Sequence, residues 1–341
     1  MRAITVLLTA SGSPGTAALV RALKGNGERD VRLVGVDMSE RSVGRHLCDA
    51  FRVVAPSGDP LFVPSLLEII EQEQVDLVLP QTSYDLPPLA AARENFPVPV
   101  LVSSRETVRR SNDKAETYSL LRYLGVTAPD FRRARGGPAV EAAARELGYP
   151  DRDVAVKPIF SSGSRGFRIL SAGADRHEQL LANRPGVAEA LRLEELVELL
   201  GDDETELLVM ELAEGGERTI DGIADGRRIV LGHPKTRESM RAGLAMYFVT
   251  LADDALMDLA KRIVAALEIE HFFNIQLVGD HVIEVNPRIS TIVYQEDLNI
   301  PYLGVKRALG ELSDDELASY ASRIRPARTA LRYFDQLEWD S

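Results

Sequence analysis

Phe272–Ser290, FFNIQLVGDHVIEVNPRIS, is the stretch around which the rest of the chain is organised. Two apolar runs flank Gly279-Asp280, a turn signal, and this pattern predicts a β-hairpin. Alternation places Phe273, Ile275 and Leu277 on one face of the first strand and Asn274 and Gln276 on the other. In the second strand His281, Ile283 and Val285 oppose Val282, Glu284 and Asn286. Opposed residues of an antiparallel pair point the same way, so Gln276 joins Glu284 and Asn286 only if the turn holds an odd number of residues. A three-residue loop, Val278 to Asp280, or five residues with a bulge, meets that condition; a two-residue turn would split the set. A carboxylate, two amide oxygens and then Pro287-Arg288 make a hard-cation site beside an anion site. Magnesium takes one or two protein oxygens and completes its shell with water and phosphate. A solvated outer face accounts for any single E-x-N, so the weight of this reading rests on the other segments.

The whole chain bounds the answer. Its 341 residues are enough for two or three domains, and 45% hydrophobic with 27% charged residues is the balance of a soluble protein. A net charge of −12 argues against general binding to nucleic acid or acidic membranes. Cys48 is the sole cysteine, so neither an internal disulfide nor a thiolate metal cluster is available, and the 5 scattered histidines form no zinc motif. The N-terminal apolar run is too short for a signal peptide, and no run reaches membrane-spanning length, so a cytoplasmic location is expected.

From the N-terminus, Ala3–Thr9 reads as a strand buried on both faces. A small-residue loop, Ala10 to Gly15, and a helix from Thr16 to about Lys24 follow. Strands at Val31–Asp37, Phe51–Val54, Val75–Leu79 and Val98–Val102 alternate with helices, one capped by Asp59-Pro60 and running to about Glu73, another over Tyr84–Phe96. Such alternation implies a parallel sheet covered on both faces. Gly12 and Gly15 do not make G-x-G-x-x-G, and no P-loop sequence is present. Pro80–Asp85 leaves a strand's C-terminal end, where open α/β sheets bind ligands, which favours a substrate-side role for Gln81 or Asp85.

Ser111-Asn112-Asp113 caps a helix running to Leu124, with Gly125 as its stop and Lys114 in its first turn. Lys157 ends the short strand Val154–Pro158, on the face opposite Val154 and Val156. Ser161–Gly166 then forms a glycine- and serine-rich loop with Arg165 inside it, able to offer N–H groups and hydroxyls to phosphate and to act as a lid. A helical region spans Asp175 to Leu200 with a break at Pro185-Gly186. Glu206–Glu211 is a strand; Thr219–Ala224 and Arg228–Leu231 form a second hairpin. Arg237 and Arg241 make a basic patch in KTRESMRAG. Asp253 starts an amphipathic helix with Leu256, Leu259, Ile263 and Leu267 on one face. The charged tail from Asp314 is helical in part.

Together these segments resemble the ATP-grasp superfamily. The resemblance is carried by NDKAETYSLLRYLG, VAVKPIFSSGSRGF, LLVMELAEGGERTIDG and FFNIQLVGDHVIEVNPR, in that order over about residues 112–290. The flavour is that of the carbamoyl-phosphate synthase large subunit and the pyrrolysine-biosynthesis ligase, with a GSRG loop and a Q…E-x-N-P-R ending. It implies an N-terminal parallel α/β (Rossmann-like) domain, residues 1–111, followed by a two-part ATP-grasp fold of mixed α/β and α+β class, residues 112–212 and 213–341. It further implies that Lys114 and Lys157 hold the α- and β-phosphates beneath a lid of Ser162, Gly163 and Ser164. Glu211, Leu212 and Ala213 would present backbone to adenine, and Glu217 would hold the ribose. Gln276, Glu284 and Asn286 would carry one or two magnesium ions, with manganese as the alternative. Arg288 would stabilise the transferring phosphoryl group, and Arg237 and Arg241 would meet the γ-phosphate or the acceptor carboxylate. Gln276 stands where many members carry glutamate, and an amide binds a cation less strongly.

The implied activity is an ADP-forming ligase that joins a small-molecule carboxylate to an amine through an acyl phosphate; the resemblance also allows a homodimer. The alternative within the family is a synthase-like enzyme activating bicarbonate, against which stands the single-copy chain without a glutaminase cysteine. A nicotinamide oxidoreductase lacks its fingerprint glycines. A nucleotide sensor without catalysis would not need Glu284 and Asn286 together.

Overall fold

The computed structural model describes residues 1–160, 166–181, 190–201, 203–241, 244–290 and 297–339. Three sheets organise them. The first joins β1 (Ile4–Leu8), β2 (Val31–Asp37), β3 (Ala50–Val53) and β4 (Leu77–Leu79) in the order β3-β2-β1-β4, all parallel. Its two faces are buried separately. Leu7, Val34, Val36 and Val78 pack on the helix Phe62–Glu73. Ile4, Val6, Leu8 and Leu33 pack on the helix Thr16–Lys24 and on Tyr302, Leu303 and Val305 of the helix Ile300–Ala308. Burial on both sides is why these strands are continuously apolar.

The second sheet contains β5 (Phe131–Arg135), β6 (Val154–Pro158), β7 (Arg168–Leu170), β8 (Ala190–Leu191) and β9 (Glu206–Glu211), in the order β5-β9-β6-β7-β8. The third contains β10 (Glu217–Asp225), β11 (Ile229–Arg241), β12 (Leu244–Val249), β13 (Glu270–Val278), β14 (His281–Asn286) and β15 (Thr329–Leu331), in the order β14-β13-β10-β11-β12-β15. One face of the third sheet, through Ile220, Phe273, Ile275, Leu277, Val282 and Val285, closes on the helix Asp254–Leu267 and on Tyr118 and Leu121 of the helix Lys114–Tyr123.

The structure departs from the sequence reading in several places. Val98–Val102 is not a strand; Val100 makes one parallel bridge to Val78, because Pro97 and Pro99 have no N–H to extend the ladder. The helix expected from Pro60 begins at Phe62, with Asp59 Oδ1 accepting the Leu61 N–H at 2.8 Å. That over Tyr84–Phe96 contracts to Leu86–Ala91 and a 3₁₀ turn, Arg93–Asn95. Within Asp175–Leu200, helices Arg176–Leu181 and Leu193–Leu200 are separated by β8, among the described residues. Ser111 and Asn112 end an unforeseen helix, Arg105–Asn112, leaving Asp113 alone as the cap; it accepts from the N–H of Ala115 at 2.9 Å and of Glu116 at 3.0 Å.

The hairpin Phe272–Ser290 also needs correction. Its turn has two residues, since Val278 pairs with His281 and Leu277 with Val282. The register then shifts, and Gln276 pairs with Glu284 and Asn274 with Asn286. Ile283 is the extra residue of a β-bulge, which restores the shared polar face that a two-residue turn alone would have split. Val282 therefore lies in the core with Val285 rather than on the face of Glu284.

Candidate active site

Register lines up the polar face of the third sheet in rows. Glu284, Gln276, Thr219 and Lys235 form one row across β14, β13, β10 and β11; Asn286, Asn274, Asp221 and His233 form the next. Glu217 sits opposite Arg237 one pleat further along. Side chains on one face of paired strands are neighbours, so the rows are continuous networks.

Asn274 is the hub. Its Oδ1 accepts from Gln276 Nε2 at 2.8 Å and from Asn286 Nδ2 at 3.2 Å. Its Nδ2 donates to Thr219 Oγ1 at 2.6 Å and to Asp221 Oδ1 at 2.8 Å. The NH₂ groups of Gln276 and Asn286 are thereby turned inward, and their amide oxygens are turned away from the hub. Gln276 Oε1 then accepts from Arg237 Nη1 at 2.6 Å, and that guanidinium also lies 3.2 Å from Glu217 Oε2. Asn286 Oδ1 accepts from Ser83 Oγ at 3.3 Å, and Ser83 Oγ accepts from Arg288 Nε at 3.0 Å. Beneath the hub, Lys235 Nζ lies 2.5 Å from Asp221 Oδ2 in a buried pair, with Ser290 Oγ donating to Asp221 Oδ1. Burial pushes the Asp221 carboxyl up, but Lys235, Ser290 and His233 together outweigh it and hold its pKa below the ordinary carboxylate value.

The two lysines approach from the other sheet and the neighbouring helix. Lys114 opens the helix Lys114–Tyr123 and is buried, its Nζ 3.4 Å from the Ile159 carbonyl oxygen. Lys157, on β6, is buried and donates to Tyr118 Oη at 3.1 Å, and Tyr118 in turn donates to the carbonyl of Ile283 at 2.8 Å. The bulge residue thus anchors the tyrosine that positions the lysine. Burial lowers the pKa of both ammonium groups. That of Lys157 falls to about 7, with Lys114 adding to the effect of burial and Glu284 opposing it. Glu284 likewise opposes the lowering of Arg288 by burial. Glu284 itself is half-buried and has no hydrogen-bond or ion-pair partner among the described residues. One unpaired carboxylate therefore faces three cations.

The remaining sequence candidates are placed as follows. Leu212 packs against the third sheet's core, and Glu211 Oε2 lies 3.3 Å from the Asp130 N–H. The chain after Ala213 is locked to the β13–β14 turn, where Gly279 N donates to Gly216 O at 3.1 Å and a Cβ on Gly279 would stand 2.3 Å from Glu214 O. Glu217 is held by Arg237 rather than standing clear. Arg241 is not brought to the cluster; it is exposed at the end of β11, over the Phe334 ring at 4.8 Å. Ser162, Gly163 and Ser164 lie outside the described residues. Tyr118, Thr219, Asp221, Lys235, Asn274, Ser290 and Ser83 join the site only in the structure. The signal for several of them is a period-2 polar pattern in Glu217-Arg-Thr-Ile-Asp221 and His233-Pro-Lys-Thr-Arg237.

A cavity of about 800 Å³ opens beside the cluster. It lies between Arg288–Ser290 and the loops that follow β1, β2 and β4, and both Gln81 and Asp85 line it. Gln81 is fully engaged, its Oε1 accepting from Ser13 Oγ and Thr16 Oγ1, each at 3.2 Å, and its Nε2 donating to Thr9 O at 3.0 Å.

Two family models match the chain. One, described as the PylC-like N-terminal domain, covers residues 6–101; the other, an ATP-grasp in the biosynthetic pathway with Ter operon, covers residues 203–330. Residues 203–330 are thus similar to an ATP-grasp and residues 6–101 to a PylC-like N-terminal domain. Solved structures share the chain's fold. An L-amino acid ligase from Bacillus licheniformis matches with TM-score 0.63 and 17% identity, over 96% of this chain and 78% of its own. The N5-carboxyaminoimidazole synthetase of Staphylococcus aureus, complexed with ADP, matches with TM-score 0.59 and 13% identity, over 96% and 80%. The biotin carboxylase domain dimer of the Hydrogenobacter thermophilus 2-oxoglutarate carboxylase, in complex with MgADP, ADP and bicarbonate, matches with TM-score 0.62 and 16% identity, over 90% and 70%.

The donor set fits a hard cation that brings its own oxygens. Among the described residues no three His, Cys, Asp or Glu side chains group to hold a metal alone. Glu284 offers an unpaired carboxylate and Asn286 an amide oxygen on the same face, as magnesium bound largely through water and phosphate requires. Gln276 Oε1 is shared with Arg237, which weakens it as a ligand. Among the described residues no helix is long and apolar enough to cross a membrane.

Proposed function

We propose that this chain is an ATP-dependent carboxylate–amine ligase that works through an acyl phosphate. The observation that carries the reading is the convergence of Lys114, Lys157 and Arg288 on Glu284, with Arg288 also lining a substrate-sized cavity. Lys114 and Lys157 would bind the phosphate chain of ATP, and Glu284 and Asn286 would hold magnesium, which supplies charge neutralisation on the phosphates. Arg288 reaches both the cluster and the cavity, and would orient the substrate carboxylate and stabilise charge on the transferred group. The carboxylate oxygen attacks the γ-phosphorus and ADP leaves. The amine then attacks the acyl carbon, a C–N bond forms, and phosphate departs with the bonding pair. Transfer of this kind depends on positioning and charge neutralisation more than on a strong base.

Activation of bicarbonate alone is less well supported, because a cavity of about 800 Å³ is of the size that takes a drug-sized ligand, commonly ~300–1,000 Å³. The reading is tested by screening amino acids and dipeptides for stimulated nucleotide turnover and quantifying every product. One ADP and one phosphate per bond formed is the expected result. Stoichiometric AMP and pyrophosphate would refute the acyl-phosphate route, because that outcome places the chemistry at the α-phosphorus.

A further inference from the structure

The C-terminal segment beyond β15 ties two walls of the cavity together. Leu244 lines the cavity, and its partner across the β11–β12 pair is Arg241. Opposed residues point the same way, so Arg241 leaves its strand on the face of Leu244. Its guanidinium lies over the Phe334 ring at 4.8 Å, and among the described residues it makes no ion pair or hydrogen bond. Further along, Trp339 stacks on His46, the ring centroids 3.8 Å apart and the planes inclined by 24°. His46 belongs to the short helix Gly44–Leu47, just after Ser42, which lines the cavity and whose Oγ accepts from Gly44 N at 3.2 Å.

Little else holds this segment. Up to Leu331 the chain is an edge strand on β12, and Arg332 N still donates to Met246 O at 2.7 Å. From Tyr333 to Trp339 the hydrogen bonds among the described residues are local, Gln336 with Asp335 and Glu338. Tyr333, Phe334 and Trp339 are all exposed. Nor does the fold need the segment as a clamp, because the N-terminal domain and the third sheet are joined elsewhere. Glu270 N donates to Ser103 Oγ at 3.0 Å, Ser83 Oγ to Asn286 Oδ1 at 3.3 Å and Asn299 Nδ2 to Ala22 O at 2.6 Å. Two ring contacts at exposed positions favour a closed form by only about tenfold. A ring grips a guanidinium less firmly than a carboxylate does, since a carboxylate accepts two charge-assisted hydrogen bonds from it. We propose that Tyr333–Trp339 is a strap, closed beside the cavity in this conformation and released when a carboxylate in the cavity draws Arg241 off Phe334. The carboxylate rests on the ligase reading above; the strap and its Arg241 latch rest on the geometry alone.

Trp339 is the only tryptophan, so its emission reports the strap without a label. It is 62% exposed while stacked, so full release raises its collisional quenching by acrylamide about 1.5-fold. His46→Ala removes the stack directly and sets the released value. Phe334→Ala and Arg241→Gln, both at exposed positions, should approach that value in the full-length protein with circular dichroism unchanged; no rise in Arg241→Gln would overturn the proposal. The unaltered protein is then held with magnesium–ATP and given each common amino acid other than tryptophan, with quenching and ADP release read together. At least one amino acid should raise the quenching, and Arg241→Gln, already released, should show no further rise. ADP release stimulated by a carboxylate with quenching unchanged would sink the strap while leaving the ligase reading intact. Quenching raised by a carboxylate, with no ADP release from any of them, would do the reverse, and the absence of both responses would overturn both.

Discussion

Binding of nucleotide at pH 8 should draw a proton onto Lys157. In the nucleotide-free protein its pKa lies at about 7, because the ammonium is buried and Lys114 stands beside it, with Glu284 compensating only in part. A group with that pKa is about nine-tenths neutral at pH 8. Phosphates placed against Lys157 supply opposite charge, which raises a pKa by about 1–3 units. Uptake should therefore be about 0.4 to 0.9 proton per nucleotide at pH 8, and about 0.1 or less at pH 6, where the lysine is already charged. The assay is calorimetry of magnesium–nucleotide binding at pH 8 in two buffers of different ionisation enthalpy. Lys157→Gln separates this proton from any taken up by Lys114 and should remove most of the difference. Apparent affinity should also fall as pH rises above 7. The folded pKa is below that of the unfolded chain, which holds more protons between about pH 7 and 10.5, so Lys157 makes the nucleotide-free protein more stable as pH rises through that window. Uptake indistinguishable from zero at pH 8, or uptake unchanged in Lys157→Gln, would refute the reasoning.

Glu284→Gln should lower turnover by about a hundredfold or more, the scale of one major electrostatic contact to the transition state, with circular dichroism unchanged. Manganese, followed by electron paramagnetic resonance, should bind weakly to the protein alone and far more tightly once ADP is present, because the cations around Glu284 repel a bare metal ion; equal affinity in both states would contradict this. Asn274→Asp places a second carboxylate 2.8 Å from Asp221 Oδ1 and raises the new group's folded pKa, so stability is kept at low pH and lost as pH rises through that value. The melting deficit against the unaltered protein should accordingly be larger at pH 8 than at pH 5.

The strands are legible in the sequence where burial imposes a pattern. β2 falls on Val31–Asp37 because a continuous apolar run is stable only when covered on both faces, and β6 falls on Val154–Pro158 because Lys157 alternates out of phase with Val154 and Val156. Pattern fails where two apolar neighbours compete for one core position. Val282 and Ile283 are interchangeable to any alternation rule, so the bulge is invisible to it and the odd residue falls to the turn. The helix Ile300–Ala308 escapes notice for a related reason: its surface is buried nearly all round, so no polar face marks its period. In the site, Lys114, Lys157 and Glu284 are readable from their flanking motifs. Asn274, Asp221 and Lys235 are not, since each alone is an ordinary polar position on an amphipathic strand. Only the register of four strands makes them neighbours.

Under the proposed reading, the same register explains how a chain of net charge −12 builds a site for a polyanion. Two of its cations are neutralised in place, Lys235 by Asp221 and Arg237 by Glu217. Lys114, Lys157 and Arg288 face Glu284 in partly desolvated surroundings. Such an arrangement is costly when empty, which is why Lys157 is inclined to shed its proton, and it becomes favourable when phosphate oxygens arrive. Arg288 belongs to this group and to the cavity alike: Glu284 acts on it from the nucleotide side and Asp85 from the other, while Ser83, from the N-terminal sheet, accepts its Nε–H. Under the proposed reading, the γ-phosphate and the substrate carboxylate can meet only where those two fields overlap. That point is fixed by a side chain from the third sheet hydrogen-bonded to a loop of the first, so neither sheet alone could assemble the reaction centre.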